Sequence, residues 1–195
     1  PVHFAGLPCD MDKINAIAKK FGLNVISDAA HAIESTYKNK PIAQFADLTV
    51  FSFYANKNLT TGEGGMIVTD NENLAKEIRV KSLHGLSIDA WKRYSNEGYK
   101  PYEILYPGYK YNMTDMQASL GIHQLKNLNF NLSIRSRLWN KYDKAFLNTK
   151  GIIKRKKIVN NYRHAKHLYT ILLDLDNLTI TRNQFIDLMK NEGIG

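Results

Sequence analysis

Residues 10–28 read DMDKINAIAKKFGLNVISD, and this stretch decides the fold class of the chain. Asp10 is a common helix-capping residue, and apolar side chains recur at three- and four-residue spacings over Met11–Phe21, which predicts an amphipathic helix. Gly22 ends that helix, because glycine readily adopts the left-handed conformation that follows a last helical turn. Residues 23–28 are short, β-branched and apolar before a polar end, as expected of a buried strand in a parallel sheet.

The same alternation continues on the C-terminal side of this stretch. We predict strands at residues 48–53 and 65–69, and then a helix at 72–83 that Gly85 ends. Alternating strands and helices argue for an α/β layered sheet, in which ligands gather at the carboxyl ends of the strands. Asp28 is predicted to lie at such an end.

The second half of the chain is less regular. Residues 86–112 lack clear periodicity and predict a long functional loop. A predicted helix over 114–147 could connect two domains, and a predicted strand at 168–174 with a helix at 183–191 indicates the start of a small α+β domain. Both ends of the sequence look cut. The predicted divisions are the rear part of a large domain at 1–113, the connecting helix at 114–147 and the small-domain part at 148–195.

Composition indicates a soluble globular protein and excludes several other classes. The chain has 195 residues, of which 44% are hydrophobic, so it can bury a substantial core. No stretch approaches the roughly 18 apolar residues of a membrane span, and the N-terminus lacks a signal-peptide pattern. We therefore expect a cytoplasmic protein that binds no membrane. The single cysteine, Cys9, excludes an internal disulfide and a cysteine-based zinc site.

The net charge of +9 comes from the second half of the chain. Residues 1–97 hold 11 basic and 11 acidic residues, whereas residues 98–195 hold 16 basic and 7 acidic ones. Such an excess indicates attraction to phosphates, either of a nucleotide-linked ligand or of nucleic acid. A lysine-rich solvated surface explains it at least as well, particularly for the basic run at 154–157.

Lys57 is the first candidate for chemistry. A lone lysine in a loop is usually exposed and inert. Here, however, Lys57 follows the apolar strand end at 51–53, and the small residues TTGEGG at 60–65 close the loop behind it. A lysine held at the floor of a cleft by such a loop can be desolvated, which favours the nucleophilic amine that a Schiff base requires.

Asp28, His31 and Ser52 are each ambiguous when they are read alone. Asp28 could simply close its strand or cap the next helix, although a pyridinium nitrogen also needs a carboxylate partner if its ring is to act as an electron sink. Ser52 could bind a phosphate or sit within its strand.

The glycines at 62–65 match neither GxGxxG nor GxxxxGK[ST], so we predict no nucleotide-binding loop. The six histidines contain no HxxxH pair, so we also predict no catalytic metal.

Several segments resemble the nucleotide-sugar aminotransferases of the DegT/DnrJ group, which have the aspartate-aminotransferase-like fold. The resemblance runs along nearly the whole chain, and its most specific part is FSFYANKNLTTGEGG at 51–65. The other segments that carry it are PVHFAG at 1–6, SDAAHA at 27–32, LHG at 83–85, PGYKYNMTD at 107–115 and QL at 124–125. The resemblance implies an α/β fold: part of the large domain of a fold type I pyridoxal-phosphate enzyme, a three-layer sandwich, followed by the start of a small α+β domain.

The resemblance also implies roles for individual residues. Lys57 would form the Schiff base with pyridoxal 5'-phosphate and move the proton during catalysis, and Asp28 would pair with the pyridine nitrogen. His31 would lie against the ring or bond its phenolic oxygen, and Ser52 would bind the phosphate. A further phosphate contact, from Lys110 or Asn112, would come from the partner subunit of a homodimer with a shared active site.

The implied reaction is transfer of an amino group, with glutamate as the expected donor, to a 4-keto nucleotide sugar in surface-polysaccharide or lipid A biosynthesis. Dehydratases and regulatory relatives of the same fold are the first alternative, but the dehydratases have histidine at the position of Lys57. A basic nucleic-acid-binding protein is the other alternative, and only the charge and the tyrosines of the second half favour it. The sequence departs from the family pattern at Ser27, at Glu34-Ser35 and at Lys110.

Overall fold

The computed structural model describes residues 1–87, 103–155, 158 and 161–194. The strands are β1 (Ile26–Asp28), β2 (Thr36–Tyr37), β3 (Lys40–Pro41), β4 (Leu48–Ser52) and β5 (Gly65–Val68). The helices are α1 (Met11–Phe21), α2 (Glu72–Ser82), α3 (Asp115–Lys126), α4 (Leu128–Ala145) and α5 (Arg182–Asn191). Short 3-10 turns lie at Phe4–Gly6, Ile42–Phe45 and Leu175–Asn177.

The central sheet is mixed and has the order β1-β4-β5. Strand β1 is parallel to β4, with Asp28 beside Val50, and β5 is antiparallel to β4, with Gly65 beside Ser52. Because β1 and β4 are parallel, their carboxyl ends lie at the same edge of the sheet. Asp28 and Ser52 are therefore placed at one edge, and for Asp28 this is the predicted position.

Helix α1 has the predicted bounds and the predicted ends. The Asp10 side chain accepts a hydrogen bond from the Lys13 amide, and Gly22 follows the last turn with φ 63° and ψ 35°. The helix packs through Met11 and Ala18 on the main apolar core, which also includes Val25, Ala29, Ala32, Tyr37, Ile42, Phe51, Phe53 and Leu59. The core thus includes Ala29 and Phe53, the residues that directly follow Asp28 and Ser52 in the chain.

The single long helix predicted at 114–147 is divided into α3 and α4. The division is at Asn127, whose side-chain amide donates to the His123 carbonyl at 3.1 Å. An asparagine that bonds the preceding turn in this way competes with the regular backbone ladder. Leu128 then packs against the main core, which gives α4 its own start. The proposed division of the chain into domains stays a prediction.

Two strand predictions also need correction. Residues 168–174 form no regular strand, because the amides of His167 and Leu168 bond the Ala5 carbonyl and only Leu173 forms a bridge, with Ile152. Strand β1 is buried on one side only, since Ile26 is 59% exposed. Most of the loop predicted at 86–112 lies outside the described residues, although Leu86 bridges Ile104 and Leu83 bridges Lys110.

Candidate functional site

The loop after β4 holds Lys57 close to the sheet edge. The Phe53 amide bonds the Gly64 carbonyl at 2.8 Å, and the Thr61 amide returns to the Phe53 carbonyl at 3.0 Å. The Lys57 amide bonds the Tyr54 carbonyl at 3.0 Å, so the lysine sits in a tight turn and is half-buried. At Gly64, with φ 154°, a Cβ atom would approach the Thr61 Oγ1 to 2.4 Å, so the closure predicted from TTGEGG requires this glycine.

Asp28 is fixed by its backbone and leaves much of its carboxylate available. Its amide bonds the Pro1 carbonyl at 2.8 Å, and its carbonyl accepts from the His3 amide at 2.9 Å. One carboxylate oxygen accepts the Ala30 amide at 2.9 Å, and the side chain is exposed. Ser52, at the end of β4, makes one long hydrogen bond in which its Oγ accepts the Tyr54 amide at 3.4 Å. Both groups can therefore bond a ligand at this edge.

His31 is held in one orientation beside them. Its Nδ1 accepts the Ala5 amide at 3.2 Å, which places the ring hydrogen on Nε2. Burial lowers the pKa of His31, the nearby Lys57 charge lowers it further, and Asp28 opposes both effects. The imidazole therefore interacts electrostatically with both predicted catalytic residues, and its neutral form can donate one hydrogen bond from Nε2.

Four further residues meet behind the lysine loop, and no pattern in the sequence indicates them as a group. The Asn58 amide nitrogen donates to the Glu34 carboxylate at 2.8 Å, and Glu34 forms an ion pair with Arg135 of α4. The Asn58 oxygen lies 2.9 Å from Nδ1 of His167, whose ring packs on that of His31 with centroids 4.3 Å apart. Asn58 and His167 are 109 positions apart, so no local pattern connects them.

Lys110 and Asn112 form a separate pair. The Lys110 amine donates to the Asn112 side-chain oxygen, and the Tyr109 and Tyr111 rings stack beside them with centroids 4.8 Å apart. Within the described part of the chain, no hydrogen bond joins this pair to Asp28, Ser52 or Lys57. Their predicted contact with a phosphate of the partner subunit's site stays a prediction.

A cavity of about 610 Å³ lies between the N-terminal segment, α4 and the residues after α4, and none of Asp28, Ser52 and Lys57 lines it. At this cavity Arg155 lies over the rings of Trp139 and Tyr169, and it donates to Asp143 at 2.8 Å. We therefore assign the candidate site to the sheet edge at Lys57.

In the described ranges there is no cluster of three or more metal-ligand side chains. No helix within them is both long enough and apolar enough to cross a bilayer.

The sequence model of the DegT/DnrJ/EryC1/StrS aminotransferase family matches residues 1–195. The chain belongs to this family. One relative is an uncharacterized protein of Methanocaldococcus jannaschii, 52% identical over the whole chain and 50% of the relative's length. Another is the spore coat polysaccharide biosynthesis protein SpsC of Bacillus subtilis, 50% identical over 98% of this chain and 49% of its own length.

Solved structures of the family confirm the fold. Spr1654 of Streptococcus pneumoniae, assigned as a sugar aminotransferase, superposes in its PMP form with a TM-score of 0.87 at 33% identity, over all of this chain and 53% of its own. PseC of Helicobacter pylori, an aminotransferase involved in the biosynthesis of pseudoaminic acid, gives a TM-score of 0.85 at 27% identity, over 98% and 49% of the two chains.

The chain thus has the fold type I architecture and spans about half the length of the relatives it matches. The prediction of pyridoxal phosphate is confirmed at the level of the family, since Spr1654 has been solved in PLP and PMP forms.

Proposed function

We propose that this chain is the lysine-bearing part of a pyridoxal-phosphate-dependent sugar aminotransferase. The observation that carries the proposal is the position of Lys57, in a closed turn next to the sheet edge that holds Asp28 and Ser52. The proposed acceptor is a 4-keto nucleotide sugar and the proposed donor is glutamate. The proposed role is the biosynthesis of surface-polysaccharide or lipid A sugars in the cytoplasm.

The side chains at this edge fit pyridoxal phosphate. In the described residues no carboxylate lies within ion-pair distance of the Lys57 amine, and Asp28 accepts only one side-chain hydrogen bond. Among the residues that the structure describes, the Ser52 hydroxyl makes only the long bond with the Tyr54 amide, and His31 presents a donor at Nε2. A primary amine, a carboxylate, a hydroxyl and an N–H donor are the groups that an aldehyde, a pyridinium nitrogen, a phosphate and a phenolate require.

Each of these side chains would then have a distinct task. Bound at this edge, pyridoxal phosphate supplies the electron sink that stabilises negative charge on the substrate carbon. Asp28 holds the proton on the ring nitrogen, Ser52 donates to a phosphate oxygen, and His31 donates from Nε2 to the phenolic oxygen. The Lys57 amine takes a proton from the amino donor's α-carbon and later returns one to the sugar carbon that receives the amine.

The active site would be completed by a second copy of the protein. Lys110 and Asn112 are proposed to reach the cofactor phosphate of the partner subunit in a homodimer. Either residue can do so chemically, because an ammonium and a side-chain amide both donate to phosphate oxygens. The basic second half of the chain is compatible with an anionic nucleotide sugar as the substrate.

Replacement of Lys57 tests the proposal directly. The Lys57→Ala variant of the full-length protein should lose the visible absorbance of the covalently held cofactor and about 10²- to 10⁴-fold in turnover, because both depend on the amine. Lys19→Ala removes a lysine from the exposed side of α1 and should leave both properties unchanged. A Lys57→Ala protein that retained both would show that the lysine has been wrongly assigned.

A further inference from the structure

Asn58 uses its whole side-chain amide. Its nitrogen donates to Oε2 of Glu34 at 2.8 Å and to the Ala165 carbonyl at 3.0 Å, and its oxygen lies 2.9 Å from Nδ1 of His167. A carboxylate and a carbonyl can only accept hydrogen bonds, so the nitrogen of Asn58 has to face them and its oxygen has to face His167. The orientation of the amide is therefore fixed by chemistry.

The state of His167 follows from that orientation. Because the Asn58 oxygen is an acceptor, Nδ1 of His167 has to carry the ring hydrogen, and Nε2 of the neutral ring is then an acceptor. Burial lowers the pKa of His167 to about 4, and the charges of His31, Lys57 and Arg135 act in the same direction. The ring is neutral at pH 7 with one defined tautomer.

The same contacts anchor the lysine loop. Glu34 is 1% exposed, its carboxylate forms an ion pair with Arg135, and its carbonyl accepts the Arg163 Nε at 2.6 Å. Asn58 follows Lys57 directly in the chain, so its side chain ties the lysine turn to α4 and to the segment at 163–167. On the other side, His167 packs on His31 with ring centroids 4.3 Å apart.

We propose that Asn58 is a positioning residue of the Lys57 site, which holds His167 in its Nδ1–H tautomer against His31 and fastens the lysine turn to the Glu34–Arg135 ion pair. The inference rests on the proposed role of Lys57. Asn58 itself touches neither substrate nor cofactor. Asn58 instead positions the two groups that would contact the cofactor, the Lys57 amine and the His31 ring.

The tautomer of His167 can be measured without any change to the network. In full-length protein labelled with ¹⁵N-histidine and saturated with pyridoxal phosphate, NMR should show His167 protonated at Nδ1 and not at Nε2. Its signal is assigned by its absence from the His167→Phe variant. A His167 ring that carries its hydrogen on Nε2 would overturn the proposal, whatever the variants of Asn58 do.

The Asn58→Ala variant tests the effect on the reaction. Misplacement of the amine by a fraction of an ångström should lower kcat by about 10- to 100-fold and leave the KM for the amino donor little changed. The His167 tautomer should also become mixed. Asn56→Ala is the matched control, because Asn56 is exposed in the same turn and its side chain makes no hydrogen bond within the described residues.

The outcomes separate this inference from the proposed function. If Lys57→Ala keeps its cofactor absorbance and turnover, the proposed function fails. If Lys57→Ala loses both while Asn58→Ala keeps the kcat and the His167 tautomer of the unaltered protein, only the positioning role fails. A lower kcat with an unchanged tautomer would also contradict the role proposed here, because it would reduce Asn58 to general support of the fold.

Discussion

Buried neutral histidines make the stability of this protein depend on pH. His3 is fully buried, donates from Nε2 toward the Ser27 hydroxyl at 2.6 Å and accepts the Cys9 amide at Nδ1. His164 is 8% exposed and packs against Trp139. Burial is the main cause that lowers the pKa of each histidine from 6.5 to about 4.

From those pKa values we expect a loss of stability on acidification. Above pH 6.5 both histidines are neutral in the folded and the unfolded chain, so they add no pH dependence. Between pH 6.5 and 4 the unfolded chain binds protons that the folded chain excludes, and the free energy of unfolding falls by at most about 1.4 kcal/mol per pH unit for each histidine. Urea unfolding at a series of pH values measures this slope.

A variant of His164 shows how much of this pH dependence of the free energy of unfolding comes from that histidine. His164→Asn should make the loss of stability between pH 6.5 and 4 less steep, because one buried titrating group is gone. His123→Asn, at an exposed histidine, should leave the slope as it is. An equal slope in the His164→Asn variant and the unaltered protein would contradict the proposed origin.

At the scale of residues, the sequence predicts those site residues whose position depends on their neighbours in the chain. Asp28, Ser52 and Lys57 could be proposed because each lies within a few positions of a predicted strand end, and the structure places Asp28 and Ser52 at one edge. The network of Asn58 could not be proposed. It joins Asn58 to Glu34 and His167, which are 24 and 109 positions away in the sequence. These side chains meet only because the folded chain packs their segments together.

At the scale of elements, two chain segments approach each other through glycine. Gly85 follows α2 with φ 72°, and a Cβ atom there would lie 1.7 Å from the Tyr106 carbonyl oxygen. Its own carbonyl accepts the Leu105 amide at 2.8 Å. This close approach holds the segment that leads to Lys110 and Asn112, since Lys110 bridges Leu83.

We expect Gly85→Ala to destabilise the protein more than an alanine at an open left-handed position. Gly22→Ala is the matched control, because Gly22 has φ 63° and a Cβ atom there would have no neighbour within 4 Å. Gly22→Ala should cost about 1–2 kcal/mol from backbone strain alone. Gly85→Ala should cost about 1–3 kcal/mol more, because the carbonyl of Tyr106 has to move. Urea midpoints that are equal for the two variants would argue against a steric role of the Tyr106 carbonyl.

The elements themselves are predictable where their ends carry a signal. Helix α1 has the predicted bounds because Asp10 and Gly22 mark both ends, and α5 begins within one residue of its prediction. The break between α3 and α4 is not predictable, because Asn127 looks like any polar helix residue until its side chain bonds the turn before it. The strand predicted at 168–174 is wrong for a different reason: the backbone partners of its first residue lie near Ala5, far away in sequence.

At the scale of the whole molecule, much apolar surface has no cover within the described residues. Ile26, Met66 and Ile67 of the sheet are each more than 40% exposed, and so are Met116 and Leu120 of α3. Surfaces of this kind are usually covered by other parts of an assembly. The prediction of a buried strand was wrong at β1, where Ile26 is 59% exposed. The apolar residues of the sequence show which face of the strand can be buried, but they do not show whether another segment covers that face.

A shared active site makes a prediction that only an assembly can fulfil. In the proposed homodimer, Lys57 comes from one subunit, and Lys110 or Asn112 comes from the other. A Lys57→Ala subunit still offers an intact 110–112 segment, and a subunit with both Lys110→Ala and Asn112→Ala still offers an intact Lys57. Each variant alone should have little activity, because every one of its sites lacks a required group.

Mixed subunits should regain activity. After the two full-length variants are unfolded together and refolded in equal amounts, half of the dimers are mixed, and each mixed dimer has one complete site of two, so turnover should recover to about a quarter of the unaltered level. Refolding each variant by itself is the control and should give no recovery. If each site were built within one subunit, neither site of a mixed dimer would be complete, and the mixture would be no more active than its components.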